Sequence, residues 1–425
     1  MAGSPARVLV VGTTPDYVDW LRRVRPGDCV FVTDIALRRD AHEPPPQPDE
    51  EIVCDLVDSA GVGRALTRHL DQWALRLDGV ACFDCESLEL AATLAPDLGL
   101  PFVSVEAVRR SRDKHAMKAA WRAQGVPCPA AALVRSAADV AGFMRQIGAP
   151  CVLKPTCGSG SEFVFPCAGP EASAAGFEYV EQGVQRRSGH RLYRPVIEGA
   201  EHIVAEELVT GHEYSCDFLV EDGWAEIIRL TRKLGYPDGP FGTTRAYELV
   251  PDPEAMPWAA NLVAVAREAA TALGISRSIC MMDFMLRDGT AVVLELTPRP
   301  GGDCLPLLLR TAAGLDMLQF AVEFARGRPP ERAPMPKSQR YVGLRLLADR
   351  EGTLSAIDAG RLRQDPRVRQ VEVLRRPGTL IRTPPNDFDS WVLGHVVFVP
   401  SEERPLAEQC DELAGLLSWK VVDGS

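Results

Sequence analysis

The sequence predicts a multidomain protein of mixed α/β and α+β architecture. Short apolar runs alternate with helical stretches through residues 1–108, a pattern typical of a small parallel sheet. Further along, apolar runs are joined by tight turns, which is typical of hairpins. The stretch from Arg326 to Pro336 has the proline-rich composition of a linker. A chain of 425 residues is long enough for about three domains.

The first region is predicted to contain strands and helices in alternation. The strands cover Arg7–Val11, Cys29–Val32, Gly79–Phe83 and Phe102–Val103, and the helices cover Gly63–Leu75 and Leu88–Ala95. The stretch from Ala41 to Glu51 is predicted as a loop, because its prolines cannot continue a helix or a central strand. Gly12 follows the first strand without the full GxGxxG pattern of a dinucleotide-binding loop.

The C-terminal region, residues 326–425, is predicted as an α+β domain. Its strands cover Arg340–Leu347, Val368–Leu374, Thr379–Arg382 and Leu393–Phe398, and an amphipathic helix covers Glu403–Leu417.

The composition argues against several classes of protein. A formal net charge of -11 and the lack of a basic stripe disfavour a nucleic-acid partner. The N-terminus lacks a signal-peptide pattern and no apolar run is long enough to cross a bilayer, so we expect a cytoplasmic protein with no membrane partner. The 12 cysteines fit reduced core residues, and the lone Cys82-x-x-Cys85 pair has too few ligands for zinc.

The most informative motif is a predicted hairpin that carries two acids. It consists of Met281–Leu286, an Asp288-Gly289 turn and Val292–Thr297. The hairpin points Asp283 and Glu295 toward one place, where carboxylates suit Mg²⁺. Arg299 follows, as a group that would stabilise a transferring phosphoryl group or an acyl phosphate. The alternative is a surface hairpin whose acids meet solvent.

A second motif is a strand, a small-residue loop and another strand. Lys154 ends the first strand, and the loop contains Gly158, Ser159, Gly160 and Ser161. Glycine lets backbone N–H groups approach phosphate oxygens, to which Lys154 adds positive charge. The alternative is a plain turn.

A third motif places acids on both sides of a short Thr-Gly turn. It contains Glu206, Glu207, Leu208 and Val209, followed by Glu213. The backbone near Glu207 to Val209 would hydrogen-bond adenine, and Glu213 would accept from ribose hydroxyls.

The order of these motifs resembles the ATP-grasp superfamily. The resemblance covers roughly residues 109–325 and adds Lys114, at a helix start where the family has its first ATP-binding lysine. It implies ATP held between two α+β subdomains, with a lid at about 130–205. Residues 1–108 would be a Rossmann-like pre-ATP-grasp domain. Lys114 and Lys154 would contact phosphates, Glu206 to Val209 adenine, and Glu213 ribose.

The metal site departs from the family pattern at one position. The family implies two Mg²⁺ ions on Asp283 and Glu295, with Mn²⁺ as an alternative. Thr297 stands where the family usually has asparagine, and a hydroxyl reaches a metal less easily than an amide. One ion would then be bound through water.

Within the superfamily, the chain most resembles the L-amino acid ligases. This resemblance implies a carboxylate-amine ligase that uses ATP to convert a carboxylate into an acyl phosphate. Small-molecule carboxylate and amine substrates and a homodimer are implied as well. Glu86 falls where such enzymes keep a substrate-binding acid, and Gly301 and Gly302 follow the reaction-centre Arg299. The alternatives are a purine-biosynthesis-type ligase, a biotin-carboxylase-like enzyme or a non-catalytic ATP sensor.

The segment from Ile227 to Pro251 is expected to line the acceptor pocket. It is rich in cations, namely Arg229, Arg232, Lys233 and Arg245. Arg245 with Glu248 stands where the branch often has an acid and a histidine. A guanidinium there favours bidentate recognition of a carboxylate, which predicts a substrate with an additional carboxylate. The alternative is a solvated basic loop over the triphosphate.

Overall fold

The structure is a computed structural model that describes residues 6–193, 202–237, 239–328 and 339–422. Most of the predicted linker from Arg326 to Pro336 lies outside the described residues. The described chain forms three sheets of four or more strands and one small sheet.

The N-terminal region is the predicted parallel sheet. Its strands are β1 (Arg7–Val11), β2 (Cys29–Asp34), β3 (Glu51–Cys54) and β4 (Leu77–Ala81), in the order β3-β2-β1-β4. Its helices are α1 (Pro15–Val24), α2 (Ile35–Arg39), α3 (Ser59–Trp73), α4 (Leu88–Asp97) and α5 (Val105–Arg112).

One predicted strand of this region is wrong and one was missed. Phe102 and Val103 do not form a strand, because Ser104 immediately caps α5 with its side chain and the chain turns into that helix. The outer strand is instead β3, which begins where the proline-rich loop ends and pairs with β2.

The second sheet covers the predicted lid. Helix α6 (Lys114–Ala123) leads into it, and its strands are β5 (Ala131–Leu133), β6 (Cys151–Pro155), β7 (Phe165–Cys167) and β8 (Ile203–Glu207). Helices α7 (Ala137–Ile147) and α8 (Ser173–Arg186) pack on it and share a core with it. The predicted strand and loop are therefore confirmed by β6, which pairs antiparallel with β7. The second strand was expected over residues 162–165 but begins only at Phe165.

The largest sheet has eight antiparallel strands. In chain order they are β9 (His212–Glu221), β10 (Trp224–Gly235), β11 (Thr244–Leu249), β12 (Arg277–Arg287), β13 (Thr290–Thr297), β14 (Val342–Leu347), β16 (Val368–Val373) and β18 (Val392–Phe398). Their spatial order is β13-β12-β9-β10-β11-β14-β18-β16. Helix α9 (Ala259–Ala272) packs on one face, and α10 (Leu305–Ala313) with α11 (Met317–Ala325) packs on the other.

The sheet runs across the predicted domain boundary at residue 326, because β11 pairs with β14. A small sheet of β15 (Gly352–Asp358), β17 (Leu380–Ile381) and β19 (Ser418–Val422), with helices α12 (Gly360–Gln364) and α13 (Leu406–Gly415), completes the C-terminal region. The predicted C-terminal strands and helix are present, whereas β15 and β19 were not predicted. The division into domains stays a proposal.

No single helix among the described residues is long and apolar enough to span a membrane, and the pair α10 and α11 that would suffice together is bent by 97°. All 12 cysteines are free thiols, as expected.

Candidate functional site

The two hairpin carboxylates lie opposite each other. Asp283 on β12 pairs in register with Glu295 on β13, next to a β-bulge that places Leu294 as the extra residue. Without the bulge the register from the turn would set Leu294 opposite Asp283. A bulge re-aims a side chain in this way, and bulges are common beside active sites.

A pocket lies between the lid sheet and the eight-stranded sheet. It brings together most of the predicted nucleotide and metal residues: Lys114, Lys154, Gly158, Ser159, Ser161, Glu206, Glu207, Leu208, Val209, Glu213, Asp283 and Glu295. Apolar side chains that sequence reasoning did not single out, Val152, Val164, Met285 and Leu294, line it as well. Gly160, Thr297 and Arg299 are not part of its wall.

Lys114 links the phosphate loop to the hairpin. Its Nζ donates to the carbonyl oxygen of Gly158 at 3.2 Å and lies 3.5 Å from Oε1 of Glu295. Burial lowers the pKa of Lys114, but the charges of Glu295 and Glu206 raise it further, so the pKa lies above its ordinary value. The lysine therefore stays charged in the pocket.

Glu206 lies in a buried cluster of charges. Its carboxylate is 2.9 Å from Nζ of Lys154 and 3.3 Å from Nζ of Lys118. Burial raises the pKa of Glu206, but Lys118 and Lys154 lower it more, to about 2. The side chain thus faces lysines instead of the adenine contact expected for it.

Lys118 is a site residue that sequence reasoning missed. It is 1% exposed and donates to the carbonyl oxygen of Leu294, the bulged residue beside Glu295. Burial lowers its pKa despite the nearby Glu206. The signal was its position one helical turn after Lys114 on α6, which places both lysines on one face.

Lys233, expected as one of the cations of the acceptor segment, lines the pocket between the lid sheet and the eight-stranded sheet. Its Nζ donates to Glu213 and, at 3.0 Å, to Oδ2 of Asp283. Burial lowers the pKa of Lys233, but Asp283 and Glu213 raise it well above its ordinary value. Glu213, expected to accept from ribose, is paired with this lysine.

The loop after β6 is held in an unusual backbone conformation. Ser161 and Phe163 have φ of 62° and 55°, a region that side chains rarely adopt. Ser161 donates from Oγ to the carbonyl oxygen of Gly242 at 2.8 Å, and the Phe163 ring is buried. Glu162 between them accepts from the hydroxyl of Tyr193 at 2.7 Å. These contacts fix the loop over the pocket.

Arg299 lies beyond the pocket wall, next to the N-terminal region. Its Nε donates to Sγ of Cys85 at 3.1 Å, and its Nη1 donates to the carbonyl oxygen of Pro300 at 2.7 Å. Burial lowers the pKa of Arg299, but Cys85 and Glu86 raise it further. Glu86 is therefore within electrostatic reach of Arg299, and its substrate role stays a prediction.

Arg229 does not line a substrate pocket, and we correct that expectation. It is fully buried and donates to Oδ2 of Asp217 at 2.7 Å and to Ser215. The other oxygen of Asp217 accepts from the backbone N–H of Gly301 at 2.8 Å. Arg229 therefore supports the loop that carries Arg299 and does not reach a ligand.

Arg245 and Glu248 are also engaged elsewhere. The guanidinium of Arg245 pairs with Asp411 on α13, and Glu248 pairs with Arg232 and Arg340. The described part of the segment that carries them forms β10 and β11, and within it Arg245 lines no acceptor pocket and forms no solvated basic loop.

The acids of the hairpin suit a magnesium ion. Oδ1 of Asp283 is buried and has no hydrogen-bond partner in the described part of the chain, which leaves an oxygen lone pair for a metal. The described residues contain no group of three histidine, cysteine or acidic side chains placed to hold a metal ion. An ion on Asp283 and Glu295 would complete its shell with phosphate oxygens and water.

Comparisons with known proteins agree with this geometry. A family model described as an ATP-grasp domain matches residues 147–306. The uncharacterised protein y4rH of Sinorhizobium fredii is 30% identical over 76% of this chain and 64% of its own length. Carnosine synthase 1 of Homo sapiens is 26% identical over 68% of this chain and 37% of its own length. The chain thus spans less than two thirds of the length of these relatives.

A solved structure shares the fold over the whole chain. The crystal structure of L-amino acid ligase from Bacillus licheniformis has a TM-score of 0.78 at 20% identity and covers 99% of this chain and 100% of its own. The family match identifies residues 147–306 of this chain as an ATP-grasp domain.

Proposed function

We propose that the chain is an ATP-dependent carboxylate-amine ligase. It would activate a carboxylate as an acyl phosphate and join it to an amine, releasing ADP and phosphate. The observation that carries the proposal is one pocket that holds Lys114, Lys154 and the in-register acids Asp283 and Glu295, with Arg299 on the strand end just beyond. The printed names of carnosine synthase and L-amino acid ligase support the same class of reaction.

In the first step, the pocket residues would bind ATP and offset its charge. Lys114 and Lys154 face the phosphates, backbone groups from Glu207 to Val209 face the base, and the anchored glycine loop excludes water. Magnesium on Asp283 and Glu295 would neutralise the phosphate oxygens. A substrate carboxylate oxygen then attacks the γ-phosphorus, ADP leaves, and an acyl phosphate forms.

In the second step, an amine attacks the acyl carbon. The new C–N bond gives a tetrahedral oxyanion, from which the C–O bond to phosphate then breaks. Arg299 stays charged and would stabilise this oxyanion, since a fixed cation acts most strongly where water is excluded. Cys85 and Pro300 hold its guanidinium in place through hydrogen bonds.

The test is substrate-dependent release of ADP and phosphate. The protein is incubated with Mg·ATP and pairs of amino acids or dicarboxylates, and the products are analysed by mass spectrometry. A condensed product that forms with stoichiometric ADP would support the proposal. In a Glu295→Ala control, turnover should fall about a hundredfold or more, because several kcal/mol of charge stabilisation are removed.

The contrary results are equally specific. ADP release that requires bicarbonate or a phosphoribosyl amine, without amide formation from amino acids, would replace the proposal by a biotin-carboxylase-like or purine-type reaction. Tight ATP binding without ADP release under any condition would identify a sensor.

A further inference from the structure

We infer that the nucleotide pocket holds one magnesium ion, and that the ammonium group of Lys233 takes the place of the second ion that the ATP-grasp resemblance implies. Lys233 donates to the phosphates of bound ATP and supplies part of the positive charge that a second ion would bring. The inference rests on the proposed function, because it concerns the same Mg·ATP site. It predicts that removal of the lysine charge admits a second ion.

The first support is the position of the Lys233 ammonium group. Its Nζ donates to Oδ2 of Asp283 at 3.0 Å and to Oε1 of Glu213. Strand β9 lies between β10, which carries the lysine, and β12, which carries Asp283, so the side chain reaches across one strand. The side chain is 8% exposed and lines the nucleotide pocket. A cation is therefore fixed beside one of the two acids that suit a metal.

The second support is the hydrogen-bonding capacity of this group. A lysine ammonium has three N–H donors and no acceptor. Among the described residues, its hydrogen-bond partners are the carboxylates of Glu213 and Asp283, which use two of the three donors. The third donor remains for a ligand in the pocket that Lys233 lines. A phosphate oxygen of ATP is the acceptor that suits it, because a charged donor and a charged acceptor form the stronger hydrogen bonds.

The third support is the number of carboxylate oxygens left for metal. Oδ2 of Asp283 accepts from Lys233, and Oε1 of Glu295 lies 3.5 Å from Nζ of Lys114. Oδ1 of Asp283 is buried and has no hydrogen-bond partner in the part of the chain that the structure describes. Each acid thus has one oxygen engaged by a lysine and one left over. Two oxygens suit a single ion whose other ligands are phosphate oxygens and water.

The fourth support is the position of Thr297, which stands where the family usually has a metal-binding asparagine. Thr297 pairs with Met281, two residues beyond Glu295 and on the same face of β13. It is not part of the pocket wall formed by the described residues. A second ion would therefore gain little from Thr297, and it would also be repelled by the ammonium group of Lys233.

The experiment counts the metal ions that bind together with a nucleotide. Full-length protein is saturated with AMP-PNP, a non-hydrolysable analogue of ATP, and titrated with Mn²⁺ as a paramagnetic probe for the magnesium site. Electron paramagnetic resonance measures the free Mn²⁺ and gives the number of bound ions per protein. The variants are Lys233→Met, Lys233→Arg and Thr297→Asn, and thermal unfolding shows whether each is folded. Lys420→Met, which changes an exposed lysine on β19, is the matched control.

We expect wild type, Lys233→Arg and Lys420→Met to bind one Mn²⁺ ion per protein. Lys233→Met should bind two ions, because Glu213 and Asp283 then form an acid pair without its cation. Thr297→Asn should still bind one ion, because Lys233 remains in place. In turnover assays, Mg²⁺ in excess of ATP should raise kcat of Lys233→Met by about tenfold or more and leave kcat of wild type unchanged.

Two ions in wild type, or one ion in a folded Lys233→Met that still binds AMP-PNP, would overturn the inference. Two ions in Thr297→Asn would overturn it as well, since the threonine and not Lys233 would then limit the number of ions. If Lys233→Met does not fold, the counts for wild type and Thr297→Asn decide.

The metal count uses no carboxylate or amine substrate, so it can fail while amide formation persists. If wild type bound neither AMP-PNP nor Mn²⁺, the inference and the proposed ATP-dependent reaction would both be overturned. One bound ion without amide formation from any substrate pair would leave the inference in place and remove only the proposed ligase reaction.

Discussion

Glu206 is the most buried acid of the pocket, and its ion-pair partners among the described residues are lysines. With its pKa held at about 2 and not near 4.5, it stabilises the folded protein above pH 4.5, and this contribution is lost as the pH falls toward 2. Removing its charge also leaves Lys118 and Lys154 without a buried partner. Breaking such a pair typically costs about 3 to 5 kcal/mol.

We therefore predict that Glu206→Gln lowers the free energy of unfolding at pH 7 by about 3 kcal/mol and flattens its dependence on pH between 4.5 and 2. Urea unfolding at several pH values measures both effects. Glu221→Gln is the control, because its acid is a surface partner of Arg277. If the free energy of unfolding of Glu206→Gln fell between pH 4.5 and 2 as much as that of wild type, the lowered pKa assigned to Glu206 would be contradicted.

Residue identities predicted part of this site. Lys114, Lys154, Asp283 and Glu295 meet in one pocket as expected, because each lies on a strand or helix whose type is readable from the sequence. Lys118 was missed and Lys233 was assigned to the acceptor segment, because the partners of both lysines are set by tertiary contacts. The bulge at Leu294 was not readable either, since an Asp-Gly turn alone gives a register one residue away.

At the scale of elements, the Arg299 loop depends on the close approach of Gly301 to the sheet. A Cβ added to Gly301 would lie 2.8 Å from Cδ1 of Leu305 and 3.1 Å from Oδ1 of Asp217, whereas one on Gly302 would meet only Arg299 Nη1 at 3.9 Å. The two neighbouring glycines thus differ sharply in tolerance.

Gly301→Ala should lower kcat by about tenfold or more and leave the Kd for ATP unchanged. The added methyl group overpacks the loop at a cost of about 1 to 3 kcal/mol, which shifts Arg299 but does not affect the nucleotide pocket. Gly302→Ala should keep wild-type kcat. Steady-state kinetics measure kcat, and titration calorimetry measures the Kd for ATP, in both variants and in wild type. Equal losses in both variants would show that the Asp217 contact does not position Arg299.

The phosphate loop depends in the same way on helix α8. A Cβ on Gly183 would lie 2.3 Å from Cδ1 of Phe163, the buried anchor of the loop, whereas one on Gly142 of α7 would make only an ordinary contact with Nη2 of Arg145 at 3.9 Å. Both glycines lie inside helices, so they form a matched pair.

We predict that Gly183→Ala raises KM for ATP about tenfold, because the displaced Phe163 ring moves the loop. Gly142→Ala should leave KM unchanged and stabilise the protein by roughly 0.5 to 1 kcal/mol, the helical advantage of alanine over glycine. Thermal unfolding and ATP titration measure the two effects. An unchanged KM in Gly183→Ala would mean that Phe163 does not hold the loop.

At the scale of the whole molecule, the C-terminal region completes the eight-stranded sheet. Strands β14, β18 and β16 continue the sheet that carries Asp283. The ring of Phe388 also packs against that of Phe163 in the predicted lid, with ring centroids 5.4 Å apart. The sequence predicted these strands but not their sheet partners, because register and neighbour choice are set by contacts between distant segments.

We predict that a fragment of residues 1–328 aggregates or binds no ATP, since it exposes β11 as an unpaired edge and removes the support of the lid. Solubility and ATP titration of the fragment beside the full chain measure this. A soluble fragment that binds ATP with wild-type affinity would show that residue 326 is a true domain boundary.

In the proposed reaction, a carboxylate oxygen of the substrate attacks ATP to give an acyl phosphate. The most direct measurement uses a substrate carboxylate labelled with ¹⁸O, an acceptor amine and Mg·ATP, and follows the label by mass spectrometry of the released phosphate. The proposed reaction transfers one ¹⁸O from the carboxylate to inorganic phosphate for each amide formed. Unlabelled phosphate, or AMP and pyrophosphate in place of ADP and phosphate, would contradict it.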